Sequence, residues 1–207
     1  MTTGTKRKIL DTAERLFASQ GYAGTSLRSI ISAAGVNLAA IHYHFKSKEA
    51  LLDAVILRRA ETINRERLAL LEQCDRPPGA VPPLEQVLEA FLYPAFRFAN
   101  GSRRGAMFVK LMARIHAEGD IFAQIIERHF STVAARFICA LRRALPDLPP
   151  EELFLRMHFI MGAMIQALAG PLVLVSLSGP VRQPDWETKA ARLIEFVSAG
   201  LRAGVKK

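Results

Sequence analysis

Between Thr25 and Lys48 the chain concentrates groups that donate hydrogen bonds or carry positive charge. Arg28, Lys46 and Lys48 are the cations, and Thr25, His42, Tyr43 and His44 stand among them. Such a set suits phosphate oxygens and base edges, because guanidinium, ammonium, imidazole and hydroxyl groups all present N–H or O–H to an acceptor. It lacks what bond-making chemistry needs. The sequence holds no Walker A loop, no Gly-x-Gly-x-x-Gly, no Gly-x-Ser-x-Gly and no cysteine beside an evident base. No histidine has Asp or Glu three residues before it, and there is no His-Glu-x-x-His, so neither the di-iron nor the zinc-protease pattern is met. No catalytic residue, no metal site and no cofactor is expected.

Composition sets the frame for these groups. The 207 residues carry 28 Lys+Arg against 19 Asp+Glu, a net charge of +9, and residues 1–52 alone hold +4. That excess favours attraction to a polyanion with strong salt dependence, although it continues beyond residue 52 and is not sufficient by itself. Half the residues are hydrophobic and 23% are charged, which excludes disordered and collagen-like chains and allows a buried core. Cys74 and Cys139 are too few for a disulfide framework or a four-cysteine zinc site, in keeping with a cytoplasmic protein. Met1 to Lys8 is polar and basic with no apolar run behind it, so no secretory signal is expected. Met157 to Val181 has no Asp, Glu, Lys or Arg and reaches the length of a membrane span. His158, Gln166 and the break at Gly170-Pro171 argue instead for a buried core helix and no membrane.

The elements that must position the cluster are helices. Ile9, Leu10, Ala13, Leu16 and Phe17 share one face of a helix over about 5–20 that stops at Gly21. Thr25 and Ser26 are N-cap types before Leu27, Ile30, Ile31 and Ala34, and Gly35 closes that short run. Asn37 caps a third helix from Leu38 to Phe45, with Ile41 and Phe45 turned inward at i, i+4. Ser47 opens a long fourth helix to about Glu72. Beyond the proline-rich stretch from Asp75 to Pro83, helices are expected at about 84–99, 103–117, 120–145, 150–169 and 185–204, with no convincing strand alternation. The helix at 150–169 is apolar almost all round and must be covered by its own bundle or by a second subunit.

Two short helices joined by Ala34-Gly35-Val36-Asn37 have helix-turn-helix spacing over about residues 26–45. The residues in and around them narrow the reading further. The Ile9-Leu10-x-x-Ala13-x-x-Leu16-Phe17 run, Gly21, Thr25, the Ala-Gly-Val turn, Tyr43-His44-Phe45 and Lys48 occur at set spacings. In these the stretch from about Lys6 to Leu57 resembles the DNA-binding domain of the tetracycline-repressor (TetR) family of bacterial transcription regulators. The segment from Asn37 to His42 departs from the Ser-x-Gly-Thr-Leu-Tyr run frequent in that family. The departure is expected to alter base preference and not fold, since Asn still caps and Ile still packs.

The resemblance implies an all-α chain: a three-helix DNA-binding head at 5–65, joined by a long helix to a larger helical effector-binding and dimerisation domain at 66–207. It implies a ligand-responsive repressor acting as a homodimer on a palindromic operator in double-stranded DNA, with the last two helices, around Phe154 to Leu168 and Ala190 to Leu201, forming the dimer surface. The second helix of the motif reads base edges, so Leu38, Ala39, Ala40 and His42 are base-facing candidates, and Arg28, in the helix before it, joins them because its guanidinium can reach guanine O6 and N7 or a phosphate. Thr25, Tyr43, His44, Lys46 and Lys48 are the phosphate-facing ones. Tyr93, His116, His129, His158 and Gln166, with Arg97 and Cys139, are polar groups in apolar surroundings. The first five are the candidate pocket residues for an unidentified small-molecule effector, expected to be lipophilic or aromatic. A DNA-binding dimer without an effector, and an all-helical enzyme, are the rival readings.

Overall fold

The computed structural model describes residues 2–75, 77, 79–169 and 184–204, with the side chains of Thr2 and Thr3 excepted. Among the described residues the regular structure is entirely helical. Its helices are α1 (Thr2–Gln20), α2 (Leu27–Ala34), α3 (Leu38–His44), α4 (Lys48–Cys74), α5 (Leu84–Gly101), α6 (Arg103–His116), α7 (Asp120–Ala144), α8 (Pro150–Ala169) and α9 (Trp186–Arg202). All nine helices match their sequence-derived spans to within a few residues. The expected breaks at Gly170-Pro171 and, apart from Pro184, at 179–184 lie outside the described residues.

The chain forms two compact units, 1–62 with 103–130, and 63–102 with 131–207. These units differ from the expected division at residue 65. The segment 103–130 belongs with the N-terminal head because α6 packs along α1 and buries Phe108, Leu111 and Ile115. Such a pairing between distant parts of the chain leaves no mark in local sequence pattern.

In the first unit, α1 supplies Ile9, Ala13 and Phe17, and against them lie Ile30 and Ala34 of α2, Ile41 of α3, Phe45, and Leu51 and Val55 of α4, all buried. Helices as short as α2 and α3 are marginal alone in water, so this burial holds them. A polar knot lies beside it. Glu14, buried on α1, accepts from Arg58 Nη2 at 2.6 Å and from Arg59 Nε and Nη2 at 2.9 and 2.7 Å, while Arg58 Nη1 also donates to Asp11 at 2.7 Å. The Glu14 hydrogen bonds raise Arg59 above the ordinary guanidinium pKa against the opposing effect of burial.

In the second unit, α9 packs on α5 and α8. Phe91 and Phe137 meet edge to face at 5.1 Å in a core that includes Leu88, Leu92, Phe96, Leu141 and Ile194. Ser198 Oγ donates to Glu85 Oε1 at 2.7 Å and Arg202 Nη2 to Glu85 Oε2 at 2.9 Å, and these contacts, Arg202 first, hold Glu85 down to about 2. Arg156 Nη1 donates to the carbonyls of Gly200, Leu201 and Ala203 at 2.7–3.0 Å and so satisfies acceptors that the end of α9 leaves open. α8 is long and apolar enough to cross a membrane by length and composition. It is not the buried core helix expected from sequence: Leu153, Ile160 and Met164 are buried, while Phe154, Leu155 and Phe159 are exposed.

Glu14 is nearly fully buried and holds two guanidinium groups, so Glu14→Ala leaves both cations short of a shared partner. The expected loss is about 3 kcal/mol of unfolding free energy, measured by urea denaturation; a loss below about 1 kcal/mol would show that water compensates the arginines.

Candidate nucleic-acid interface

Local chemistry fixes the ends of α2 and α3. Ser26 Oγ accepts from Ser29 N–H at 3.0 Å while Ser29 Oγ accepts from Ser26 N–H at 3.1 Å, a reciprocal cap at the start of α2. Gly35, at φ +56°, takes the left-handed conformation that ends α2, with its N–H on Ser32 O and that of Val36 on Ile31 O. Asn37 Oδ1 then accepts from Ala40 N–H at 2.9 Å and starts α3. The two helices are set by these caps and by Ile30, Ala34, Ile41 and Phe45 beneath them.

The opposite side of α3 faces outward. Leu38 is 55% exposed and Tyr43 76%; Ala39, His42 and Lys46 are exposed, as is Arg28 on α2, and Ala40 and His44 are half-buried. The structure therefore brings nine of the ten expected DNA-facing residues onto the accessible surface of the motif. Tyr43 and His44 stand edge to face at 5.0 Å, which limits how far the phenol swings. Lys46 has φ +62°, unusual for a residue with a side chain, at the corner between α3 and α4.

Thr25 requires a correction. It is 1% exposed, and its hydroxyl donates to Gly21 O at 2.7 Å, so it holds the turn and does not reach a phosphate. Lys48 is largely engaged as well. Its Nζ donates to Tyr22 O and Thr25 O, both at 3.0 Å, and lies 4.1 Å above the Tyr22 ring, leaving one N–H of the ammonium for an outside acceptor. Glu118 accepts from Tyr22 N–H at 2.9 Å and completes this loop. Burial first, then Glu49 and Glu118, push the Tyr22 phenol above its ordinary pKa. At the start of α4, the Ala50 N–H is taken by Ser47 Oγ at 3.0 Å.

The five expected pocket residues divide between the two units. His116 and His129 lie in the first unit. The former is exposed and edge-on to Phe122 at 4.6 Å, and the latter has Nε2 2.8 Å from Asp53 Oδ1, a carboxylate that Arg128 also holds at 2.7 Å. Burial pushes Asp53 up, but the hydrogen bonds from Arg128 and His129 outweigh it and keep the carboxyl below its ordinary pKa. In the second unit Tyr93 lines an open recess of about 500 Å³ with Glu85, Glu89 and Arg202, whereas His158 and Gln166 are exposed on α8. Arg97 is in an exposed ion pair with Glu66, and Cys139 lines a separate open recess between α7 and α8. The buried polar residues of the second unit that sequence reasoning missed are Asn64, Ser198 and Arg67, and the signal for Arg67 was a cation midway between Ile63 and Leu71 on the buried stripe of α4.

Comparison with known proteins bears on both units. The family model described as bacterial regulatory proteins, tetR family, matches residues 9–55, and the one described as tetracyclin repressor-like, C-terminal domain, matches 89–200, more than half of the chain. The HTH-type transcriptional regulator AcrR of Shigella flexneri is 49% identical over 51 residues, 25% of this chain and 24% of that protein. The HTH-type transcriptional repressor KstR2 of Rhodococcus jostii (strain RHA1) is 37% identical over 54 residues, 26% of each. This chain thus spans about a quarter of the length of these curated relatives. Among solved structures, a transcriptional regulator from Aquifex aeolicus VF5 aligns at TM-score 0.58 and 23% identity over 94% of this chain and 98% of its own. Salmonella enterica GusR aligns at 0.61 and 18% over 97% and 96%. AibR, solved with isovaleryl coenzyme A and operator DNA, aligns at 0.62 and 19% over 93% and 97%. At these identities the structural likeness shows a shared fold.

The different engagement of Lys46 and Lys48 separates two kinds of variant. Lys46→Ala is expected to leave the melting temperature unchanged and to lower the slope of log affinity for DNA against log salt by about 1. Lys48→Met is expected to weaken DNA binding and also to cost about 1–3 kcal/mol of stability, because Tyr22 O and Thr25 O lose a charged donor. Fluorescence anisotropy at several salt concentrations beside thermal unfolding checks both, and equal melting temperatures for the two variants would contradict the assignment.

Proposed function

The chain belongs to the tetracycline-repressor family of bacterial transcription regulators, and from that premise we propose that it binds a palindromic operator as a homodimer and releases it in response to a small molecule. The observation that carries the reading is the outward face of α3, with Leu38, Ala39, His42 and Tyr43 presented by a capped helix-turn-helix whose inward face is fully packed. Leu38 and the two alanines suit thymine methyl groups. Arg28 and His42 suit purine acceptors, and Tyr43, His44, Lys46 and the remaining N–H of Lys48 suit flanking phosphates. Sequence reading is the role of this face, and no catalytic activity is assigned to the protein. Its place of action is the cytoplasm, where the DNA is.

A second copy is the natural cover for the apolar side of α8. Phe154, Leu155 and Phe159 on α8 and Phe196 on α9 are exposed large hydrophobics on the two helices expected to form the dimer surface. A two-fold pair presents two recognition helices to successive major grooves, and this symmetry calls for a palindrome. Lipid is the less favoured cover for α8, because α9 offers an apolar residue beside it on a helix with charged groups at Lys189, Arg192 and Glu195. The exposure of His158 and Gln166 on α8 favours a second reading, a DNA-binding dimer with no effector, which a ligand-dependent change in operator affinity would exclude.

Anisotropy titration of the protein on the DNA upstream of its own gene, against scrambled DNA at two salt concentrations, tests the first reading. Selective binding that is weakened by Tyr43→Ala is expected, and equal binding to both DNAs at both salts counts against operator recognition there. Phe159→Asp and Ala163→Asp are each expected to weaken the dimer at least about tenfold in sedimentation experiments, since a carboxylate is then buried without a partner; variants that remain fully dimeric would remove α8 from the interface.

A further inference from the structure

Arg67 is 4% exposed in the core of the second unit. It sits on α4 between the buried Ile63 and Leu71, its Nε donates to Phe91 O at 2.8 Å, and its Cζ lies 4.4 Å above the Phe91 ring. The remaining contact of the guanidinium among the described residues is Nη2 to Met164 Sδ at 3.7 Å, and a thioether is a weak acceptor. Among the described residues no carboxylate faces it. Burial alone lowers its pKa to about 10, with no opposing contribution from any acid. Glu66, its neighbour in sequence, is paired at 2.6 Å with Arg97, Glu85 with Arg202 and Ser198, and Glu152 with Arg156. The positions outside the described residues, 1, 76, 78, 170–183 and 205–207, carry no Asp or Glu side chain.

A buried charge is ordinarily paired, since its desolvation is otherwise uncompensated. The contrast within this chain is direct: Glu14 in the first unit has two guanidinium partners, and Arg67 has a carbonyl, a ring face and a sulfur. With Nε engaged, the edge left for a stronger acceptor is that of Nη1 and Nη2, the end-on fork that takes both oxygens of a carboxylate. We propose that Arg67 anchors the carboxylate of a lipophilic organic acid, bound as effector in the apolar core of the second unit, with Met164 displaced from Nη2. A monoanion is specified because one guanidinium neutralises one charge and a second would be left buried. The apolar body of the acid follows from Phe91, Met164 and the aliphatic residues around them. This inference rests on the effector-responsive reading above and names the class of ligand.

The test uses the full chain and two matched pairs of probes, octanoate with octanamide and phenylacetate with phenylacetamide, followed by calorimetry, by thermal shift and by release of bound DNA. At least one acid is expected to bind and to raise the melting temperature, with affinity about 10- to 100-fold above its amide. Arg67→Met is expected to abolish that preference while leaving the unliganded melting temperature equal or higher, and Arg67→Lys to keep part of it. Arg67→Gln carries the same comparison should the Met variant not fold. Absence of acid binding, equal affinity for acid and amide, or a preference that survives in Arg67→Met and Arg67→Gln overturns the anchor. Acid binding that depends on Arg67 yet leaves DNA affinity unchanged upholds the anchor and removes the effector reading. Release of DNA by an amide with no binding of its acid upholds the effector reading and overturns the anchor.

Discussion

Helices of seven and eight residues do not hold themselves together in water, and the DNA-facing part of this chain is made of two of them. What holds them is the burial of Ile30, Ala34, Ile41 and Phe45 against the apolar face of α1, with reciprocal serine caps, an asparagine cap and a left-handed glycine fixing where each begins and ends. The outward side of α3 is left with no structural duty. Its residue types can therefore vary to suit a base sequence while the inward residues keep the frame, and the run from Asn37 to His42 departs from the usual family pattern within a motif that folds as expected.

Ionic groups are handled differently in the two units. In the first, buried and half-buried charges meet their partners: Glu14 with Arg58 and Arg59, and Asp53 with Arg128 and His129. In the second, Glu85 with Arg202 and Glu66 with Arg97 pair toward the surface and Glu152 with a more buried Arg156, while the guanidinium in the core has no acid among the described residues. A unit whose task is to present a rigid face gains from neutralised charge. One proposed to take up a ligand can keep a charge that the ligand completes.

What was legible in the sequence was local. Period, caps and breakers located the helices to within a few residues, and Ser26, Gly35 and Asn37 perform the roles that their types and positions indicated. Pairings between distant segments were not legible. Nothing near Thr25 in sequence indicates that its hydroxyl turns inward to Gly21, that Lys48 spends two donors on carbonyls of the Tyr22–Thr25 loop, or that α6 returns to α1. Pocket residues were hard to read for a related reason: an isolated histidine on an apolar helix face says nothing about which other helix lies opposite. Arg67 had a readable signal, a cation at four-residue spacing between two core aliphatics, but its lack of an acidic partner depends on which distant segments pack against it.

The corner between α3 and α4 is turned by Lys46 in a left-handed conformation that glycine adopts freely and that costs a side-chain-bearing residue about 1–2 kcal/mol. Glycine there would relax the backbone and at the same time remove a cation from the rim of the motif. Stability and charge pull this position in opposite directions. A lineage selected for robustness alone would drift to glycine at residue 46, so a lysine that persists there marks selection acting on what the corner touches, not on how it folds.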